Sequence, residues 1–247
     1  MNYTEKNSKI IDSWVNDDWE WSREISHADF LKAKNHEKGI FLTPLKDVPE
    51  SWIDDIKGKK VLGLASAGGQ QMPVLVARGA ICTVMDYSSA MLEKEKIVSE
   101  RENYKIDIVK ADMSKKFPFA DNTFDFIVNP VSNIYIENLD NFWSECYRVL
   151  KPGGKLMAGL DNGWNFVLDE FEENTCWSLP FNTLTHPDKD KICKEDGFQF
   201  SHDISEQIGG QIKAGFTILD IFSDSNNSGK MSKLNAPFYN VTLSIKK

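Results

Sequence analysis

What most constrains this chain is a rhythm that begins at Lys59, where short apolar runs start to alternate with helical stretches. Lys60–Ala65 (KVLGLA) reads as a strand ending in a small-residue turn, Ser66–Gly69. A helix follows over Gln70–Arg78, with Pro73 tolerable because it falls in the first turn. Ala80–Asp86 (AICTVMD) is a second strand, and Ser88 or Ser89 can cap a helix running to Glu102. Ile106–Val109 and Phe124–Asn129 (FDFIVN) supply a third and a fourth strand. Asp140 opens a helix with Phe142, Trp143, Cys146, Val149 and Leu150 on one face; Lys151-Pro152-Gly153-Gly154 stops it, and Lys155–Leu160 is the fifth strand. Such alternation specifies an α/β fold, a mostly parallel sheet covered by helices on both faces.

Both ends of the chain break the rhythm. Asp203 and Glu206 have capping-box spacing and Ile204, Ile208 and Ile212 recur every four residues, which predicts a helix striped with isoleucine, Gln207 and Gln211 turned to water. Gly215–Phe222 and Phe238–Ile245 are strands joined by a polar loop without helical signal, so the last strand can run antiparallel. The stretch 161–201, with Trp164, Trp177 and Pro180, reads as an insertion or lid in a domain spanning 56–247. Residues 1–55 hold four of the seven tryptophans and are too short to fold alone, so they form a helical cap laid against that domain. Within it, Trp14, Trp19 and Trp21 read as a packing face before an aromatic substrate box.

Charge and cysteine usage narrow the function. With 29 Lys plus Arg against 37 Asp plus Glu, the 247-residue chain carries a net charge of −8, which disfavours a phosphate-tracking nucleic-acid groove. No apolar run is long enough for a membrane span, and the N-terminus lacks a signal-peptide layout. The four cysteines (Cys82, Cys146, Cys176, Cys193) form no CxxC pair, so neither disulfides nor a metal site is expected, and a cytoplasmic protein is.

In an open parallel sheet, ligands bind beyond the carboxyl ends of the strands. Here those ends are Ala65–Gln70, Asp86–Ser88, Ala111–Met113 and Asn129–Ile134. The first is rich in small residues and precedes a helix N-terminus. The second ends in Asp86, 17 residues after Gly69, where a carboxylate can accept both ribose hydroxyls of a nucleoside. Asp112 and Met113 offer a polar edge and a thioether suited to an adenine ring. On the substrate side, His202, His27 and Tyr135 are the candidate catalytic groups; His36, Asn133 and Glu137 are also within the segments that could reach a substrate.

The phrases VLGLASAGGQ, VMDYSSAML, ADMSKKFPFADNTFDFIVN and YRVLKPGGKL, from Val61 to Gly159, resemble class I S-adenosylmethionine-dependent methyltransferases of the small-molecule, type 11 (UbiE-like) kind. NPVSN (129–133) and SHDISEQIGGQ (201–211) look like the marks of a bacterial branch whose substrate the resemblance leaves open. The resemblance implies a Rossmann-like seven-stranded sheet with an antiparallel last strand. It implies S-adenosylmethionine as cofactor, S-adenosylhomocysteine as product and a small-molecule acceptor, in a monomer or homodimer. Carried over to this chain, Ala65, Ser66, Ala67, Gly68 and Gly69 would wrap the methionine part of the cofactor. Asp86 would hold the ribose, Tyr87, Ser88 and Met91 would lie near the adenosine, and Asp112 with Met113 at the adenine. Asn129 and Pro130 would face the methionine end.

This chain departs from the family at Gly63, where relatives carry Asp or Glu, and at Ala65 and Ala67, where they carry Gly. Three rival readings follow. A nicotinamide-dependent dehydrogenase shares the acid after strand two, but GLASAGG does not spell GxGxxG. A non-catalytic binder of the same cofactor fits the missing acid. An RNA methyltransferase is opposed by the negative charge and the lack of a basic appendage.

Overall fold

The computed structural model describes residues 2–66, 68–167, 177–226 and 237–247. Its seven strands are β1 (Lys60–Leu64), β2 (Ile81–Asp86), β3 (Asp107–Lys110), β4 (Phe124–Asn129), β5 (Leu150–Asp161), β6 (Phe216–Asp224) and β7 (Tyr239–Lys246). They form one sheet in the order β3-β2-β1-β4-β5-β7-β6. The pairs from β3 through β5 are parallel, while β7 runs antiparallel to both β5 and β6. The order reverses between β1 and β4, so the crevice above their carboxyl ends is where a ligand fits.

Strand alternation sorts the core into two layers. Val61 points into a cluster with Met72, Leu75, Ile40, Trp52 and Ile56; its neighbour Leu62 points the other way, onto Phe142, Trp143 and Cys146. The first layer is covered by α3 (Gln71–Ala77), α4 (Ser89–Glu102) and α2 (His27–Lys34), the second by α5 (Leu139–Val149). Ser88 caps α4, its Oγ accepting the Met91 amide at 3.1 Å. In the N-terminal stretch, α1 (Tyr3–Asn16) is followed by a 3-10 turn at Glu20–Ser22. Ile40, Leu42, Val48, Trp52, Ile53 and Ile56 sink into the first core layer.

Two expectations are corrected. Lys151–Gly154 does not divide helix from strand: α5 already ends at Val149, and the four residues lie inside β5. Leu150 pairs with Phe124 and the register shifts before Lys155 pairs with Phe126, so the Pro-Gly-Gly sequence forms a bulge. The second concerns the isoleucine stripe. The capping box forms as predicted, Asp203 and Glu206 exchanging backbone-to-carboxylate bonds of 3.1 and 2.9 Å. The helix begins as a π-turn (Ser205–Gly209) that runs into α8 (Gly210–Ala214), and it presents the glutamines inward. Ile204 and Ile212 are 69% and 57% exposed, whereas Gln211 is fully buried. Ser244 Oγ donates to Gln211 Oε1 at 2.6 Å, and Gln207 Nε2 donates to the carbonyls of Asp161 and His202. Gly210 lets this helix approach Trp143 so closely that an added Cβ would lie 2.6 Å from the indole.

The predicted lid contains α6 (Trp164–Val167) and α7 (Lys189–Glu195); its residues 168–176, with Cys176, lie outside the described residues, as does 227–236 of the β6–β7 loop. Among the described residues no helix is long and apolar enough to cross a membrane.

Candidate functional site

A cleft of about 500 Å³ opens over the carboxyl ends of the parallel strands. Its floor is built by Ala65 after β1, Asp86–Ser88 after β2, Ala111–Met113 after β3 and Pro130–Ser132 after β4. Its roof comes from the N-terminal stretch: Thr4, Asn7, Ser8 and Ile11 on α1, then Trp19–Trp21. The roof is tied down. Ser8 Oγ donates to the Tyr87 carbonyl at 2.7 Å, and Asp12 receives both the Ser88 hydroxyl at 2.6 Å and the Ala90 amide at 3.0 Å. Asn7 exchanges two bonds of 2.8 and 2.7 Å with the backbone of Phe198.

Of the residues singled out in the sequence, the cleft gathers Ala65, Asp86, Tyr87, Ser88, Met91, Asp112, Met113, Pro130 and Tyr135. Asp86 is 9% exposed, and its Oδ1 receives the Ser88 amide at 2.8 Å. Burial raises its carboxyl from the ordinary 3.8 to about 6. Asp112 holds the Ser114 amide at 2.8 Å. Burial also raises the Tyr135 phenol.

Other candidates lie off the cleft wall. Gly68 and Gly69 take φ of +66° and +78°, which glycine adopts freely, but the Gly69 amide is bonded to Glu95 Oε2 at 2.9 Å and its carbonyl receives the Ile25 amide. Burial lifts Glu95 to about 7. Asn129 is fully buried, donating to the Leu64 carbonyl and to Ser132 Oγ. Ala67 lies outside the described residues. His202 is buried with Nε2 on the Ile136 carbonyl at 2.8 Å, and His27 pairs with Glu102 on the outer surface; neither lines the cleft. The tryptophans divide: Trp14 packs on Trp19, while Trp19 and Trp21 line the cleft.

The departures at Gly63 and Ala65, with the neighbouring Ser66, form one local solution. Ala65 takes a φ of +42°, so the backbone keeps the left-handed turn a glycine would give. Any side chain at position 63 would collide with Ser66 Oγ and come within 2.7 Å of Met72 Sδ. Ser66 Oγ, buried and without a hydrogen-bond partner, fills the space an acid would need.

Electrostatically the cleft is one-sided. Glu20, Asp86, Asp112 and Asp161 line it, and among the described residues no lysine, arginine or histidine does. The buried oxygens Thr4 Oγ1, Thr43 Oγ1 and Gln71 Oε1, all without partners, border it as well. Acidic walls, unspent acceptors and a buried carboxylate at the end of β2 fit a nucleoside that carries positive charge. Missed by the sequence reading were Asp161, Asn165, Tyr239, Thr43 and Gln71; only the position of Asp161 at a strand's carboxyl end could have marked one of them.

Comparison with known proteins agrees with this geometry. Residues 62–158 match the methyltransferase domain family. The chain is similar to the Bacillus subtilis (strain 168) protein described as the uncharacterized methyltransferase YbaJ, 39% identical over 227 residues that cover 88% of this chain and 89% of that one. It is also similar to the ubiquinone/menaquinone biosynthesis C-methyltransferase UbiE of Haemophilus ducreyi, 35% identical over 107 residues, 41% of each chain. Among solved structures, an S-adenosylmethionine-dependent methyltransferase from Mesorhizobium loti superposes with a TM-score of 0.63 at 15% identity, covering 80% of this chain and 95% of that one. One from Methanosarcina mazei gives 0.58 at 15% identity, with 81% and 99% covered. The 39% likeness to YbaJ over nearly nine-tenths of both chains places this chain in the methyltransferase family, and its sheet gives it the fold of the S-adenosylmethionine-dependent methyltransferases that superpose on it.

Proposed function

We propose that this methyltransferase moves the methyl group of S-adenosylmethionine onto a small, partly apolar acceptor by in-line displacement. The observation that carries the reading is a cleft of about 500 Å³ in which, among the described residues, the ionisable walls are acidic and tyrosyl and the remaining surface is largely apolar. When bound, the cofactor supplies an electrophilic methyl on a cationic sulfur. Asp86 accepts the ribose hydroxyls, with Tyr87, Ser88 and Met91 along the adenosine and Asp112 and Met113 at the adenine. Ala65, Ser66, Ala67, Gly68 and Gly69, with Asn129 and Pro130, shape the methionine end; among the described residues of the turn, Ala65 faces the cleft. Residues 1–55 act as a cap that excludes water, and proximity and orientation supply most of the rate. The described wall, which carries no cation, disfavours phosphate-bearing acceptors, nucleic acid included. The setting is cytoplasmic and the chain works as a monomer or homodimer.

Calorimetric titration tests this. S-adenosylmethionine and S-adenosylhomocysteine are expected to bind at about micromolar Kd, roughly −8 kcal/mol, NAD is not, and Asp86→Ala is expected to lose both. Absence of binding at millimolar ligand would refute the cofactor assignment for this chain.

A further inference from the structure

The cleft has a second end, opposite Asp86. Asp161 closes β5 with 4% of its surface exposed. Its Oδ1 receives the Gly163 amide at 2.6 Å, and its Oδ2 receives Asn165 Nδ2, which also donates to the Tyr239 hydroxyl at 3.1 Å. Tyr239 faces Asp161 across the β5–β7 ladder. Thr43 reaches the same end: the Val131 amide donates to the preceding Leu42 carbonyl, which also abuts Gly159, two residues before Asp161. The Thr43 hydroxyl is buried without a partner, and all four side chains line the cleft.

Two features define what this end can hold. Asp86 and Asp161 terminate β2 and β5, three strand steps apart, or about 14 Å at the usual inter-strand spacing. That separation leaves room for a second molecule beside the nucleoside. The hydrogen-bond partners of the Asp161 carboxylate are both neutral donors, and among the described residues no cation lines the cleft, so an anionic group brought here would meet only like charge and neutral dipoles from them. An N–H or O–H donor would find the carboxylate's spare lone pairs and the Thr43 oxygen, while Leu42, Val131 and Ile134 offer an apolar wall.

We propose that Asp161, with Thr43, Asn165 and Tyr239, forms the acceptor end of the cleft, that it takes a neutral or cationic amine or alcohol on an apolar body, and that the Asp161 carboxylate accepts the proton the nucleophile gives up. In this step one N–H or O–H bond breaks, its electron pair stays on the nitrogen or oxygen, and the proton passes to an Asp161 oxygen. Burial raises the Asp161 carboxyl to about 6, which keeps it ionised at neutral pH yet more basic than an exposed aspartate. The proposal rests on the small-acceptor reading above and names its substrate class.

The test uses the full chain saturated with S-adenosylhomocysteine and titrated at pH 8 with three probes of one body: 2-phenylethylamine, 2-phenylethanol and 3-phenylpropionate. The amine or the alcohol is expected to bind at least about tenfold more tightly than the carboxylate, and Asp161→Asn to weaken that binding about tenfold or more while the Kd for S-adenosylhomocysteine stays within about twofold. If Asp161→Asn does not fold, Tyr239→Phe and Thr43→Val carry the test, each expected to weaken the probe about threefold. A carboxylate that binds as well as the others, a variant that binds like the parent, or no probe binding to a parent that holds S-adenosylhomocysteine overturns the acceptor site and leaves the cofactor reading intact. Failure of the parent to hold S-adenosylhomocysteine overturns both. The proton-accepting role is read by transfer from labelled S-adenosylmethionine to the bound probe at saturation, expected to fall about a hundredfold or more in Asp161→Asn. Parental transfer in the variant, or none in the parent, overturns that role.

Discussion

At the scale of single residues, the cleft is built from groups that fold at a cost. Asp86 is raised from 3.8 to about 6 by burial, so the folded chain holds a proton that the unfolded chain has already released. Native stability therefore falls as pH rises from about 4 to about 6 and levels off above, and the charged carboxylate costs up to about 3 kcal/mol at pH 7. Asp86→Asn is accordingly expected to raise the melting temperature of the ligand-free protein by at least about 2 °C at pH 7 and to leave it unchanged at pH 4; a scanning fluorimetry trace with no gain at pH 7 would show the carboxylate to be solvated. Gly63 and Ser66 make a second residue-scale prediction. Gly63→Asp is expected to destabilise by about 1–3 kcal/mol in urea unfolding, since its Cβ meets Ser66 Oγ and Met72 Sδ. Most of that loss should be recovered in the Gly63→Asp, Ser66→Gly double variant. Equal losses in both backgrounds would place the clash elsewhere.

Among elements, the helix after Asp203 separates two kinds of signal. Its cap was legible because Asp203 and Glu206 act locally, three residues apart. Its buried face was not, because Gln207 and Gln211 are held by groups distant in sequence, the Asp161 carbonyl and the hydroxyls of Thr242 and Ser244. Hydrophobic periodicity assumes that apolar residues point inward; here polar demand from β7 turned the helix the other way. Gln211→Ala is expected to cost about 1–3 kcal/mol in urea unfolding, as it strands buried hydroxyls, while Ile212→Gln stays within about 0.5 kcal/mol. The reverse ranking would mean that the isoleucines are covered. Strands β1 to β4 were legible for the opposite reason, since each is a short apolar run bounded by turn residues. Lys151–Gly154 misled because Pro-Gly-Gly serves equally as a helix stop and as a strand bulge, and only the pairing of Leu150 with Phe124 distinguishes them. The same division holds in the cleft: Asp86 and Asp112 announce themselves at strand ends, whereas Thr43 and Tyr239 are functional candidates only because tertiary contacts carry them there.

For the whole molecule, the cleft joins parts from both ends of the chain. The floor comes from residues 65–132, the roof from residues 4–21 and the far wall from 161, 165 and 239. The roof helix is pinned by Asn7 to Phe198, a partner 191 residues later. During synthesis the roof helix is made before any of its partners, with Tyr87, Ser88 and Ala90 following well before Phe198. The helix must wait, unpartnered, while the sheet that will carry it is still being made. It is short and mostly polar, with an apolar face that isolated helices of this length barely hold in water. Such a segment stays loose in the meantime, and the binding site is closed only as a finishing act, after the core has set.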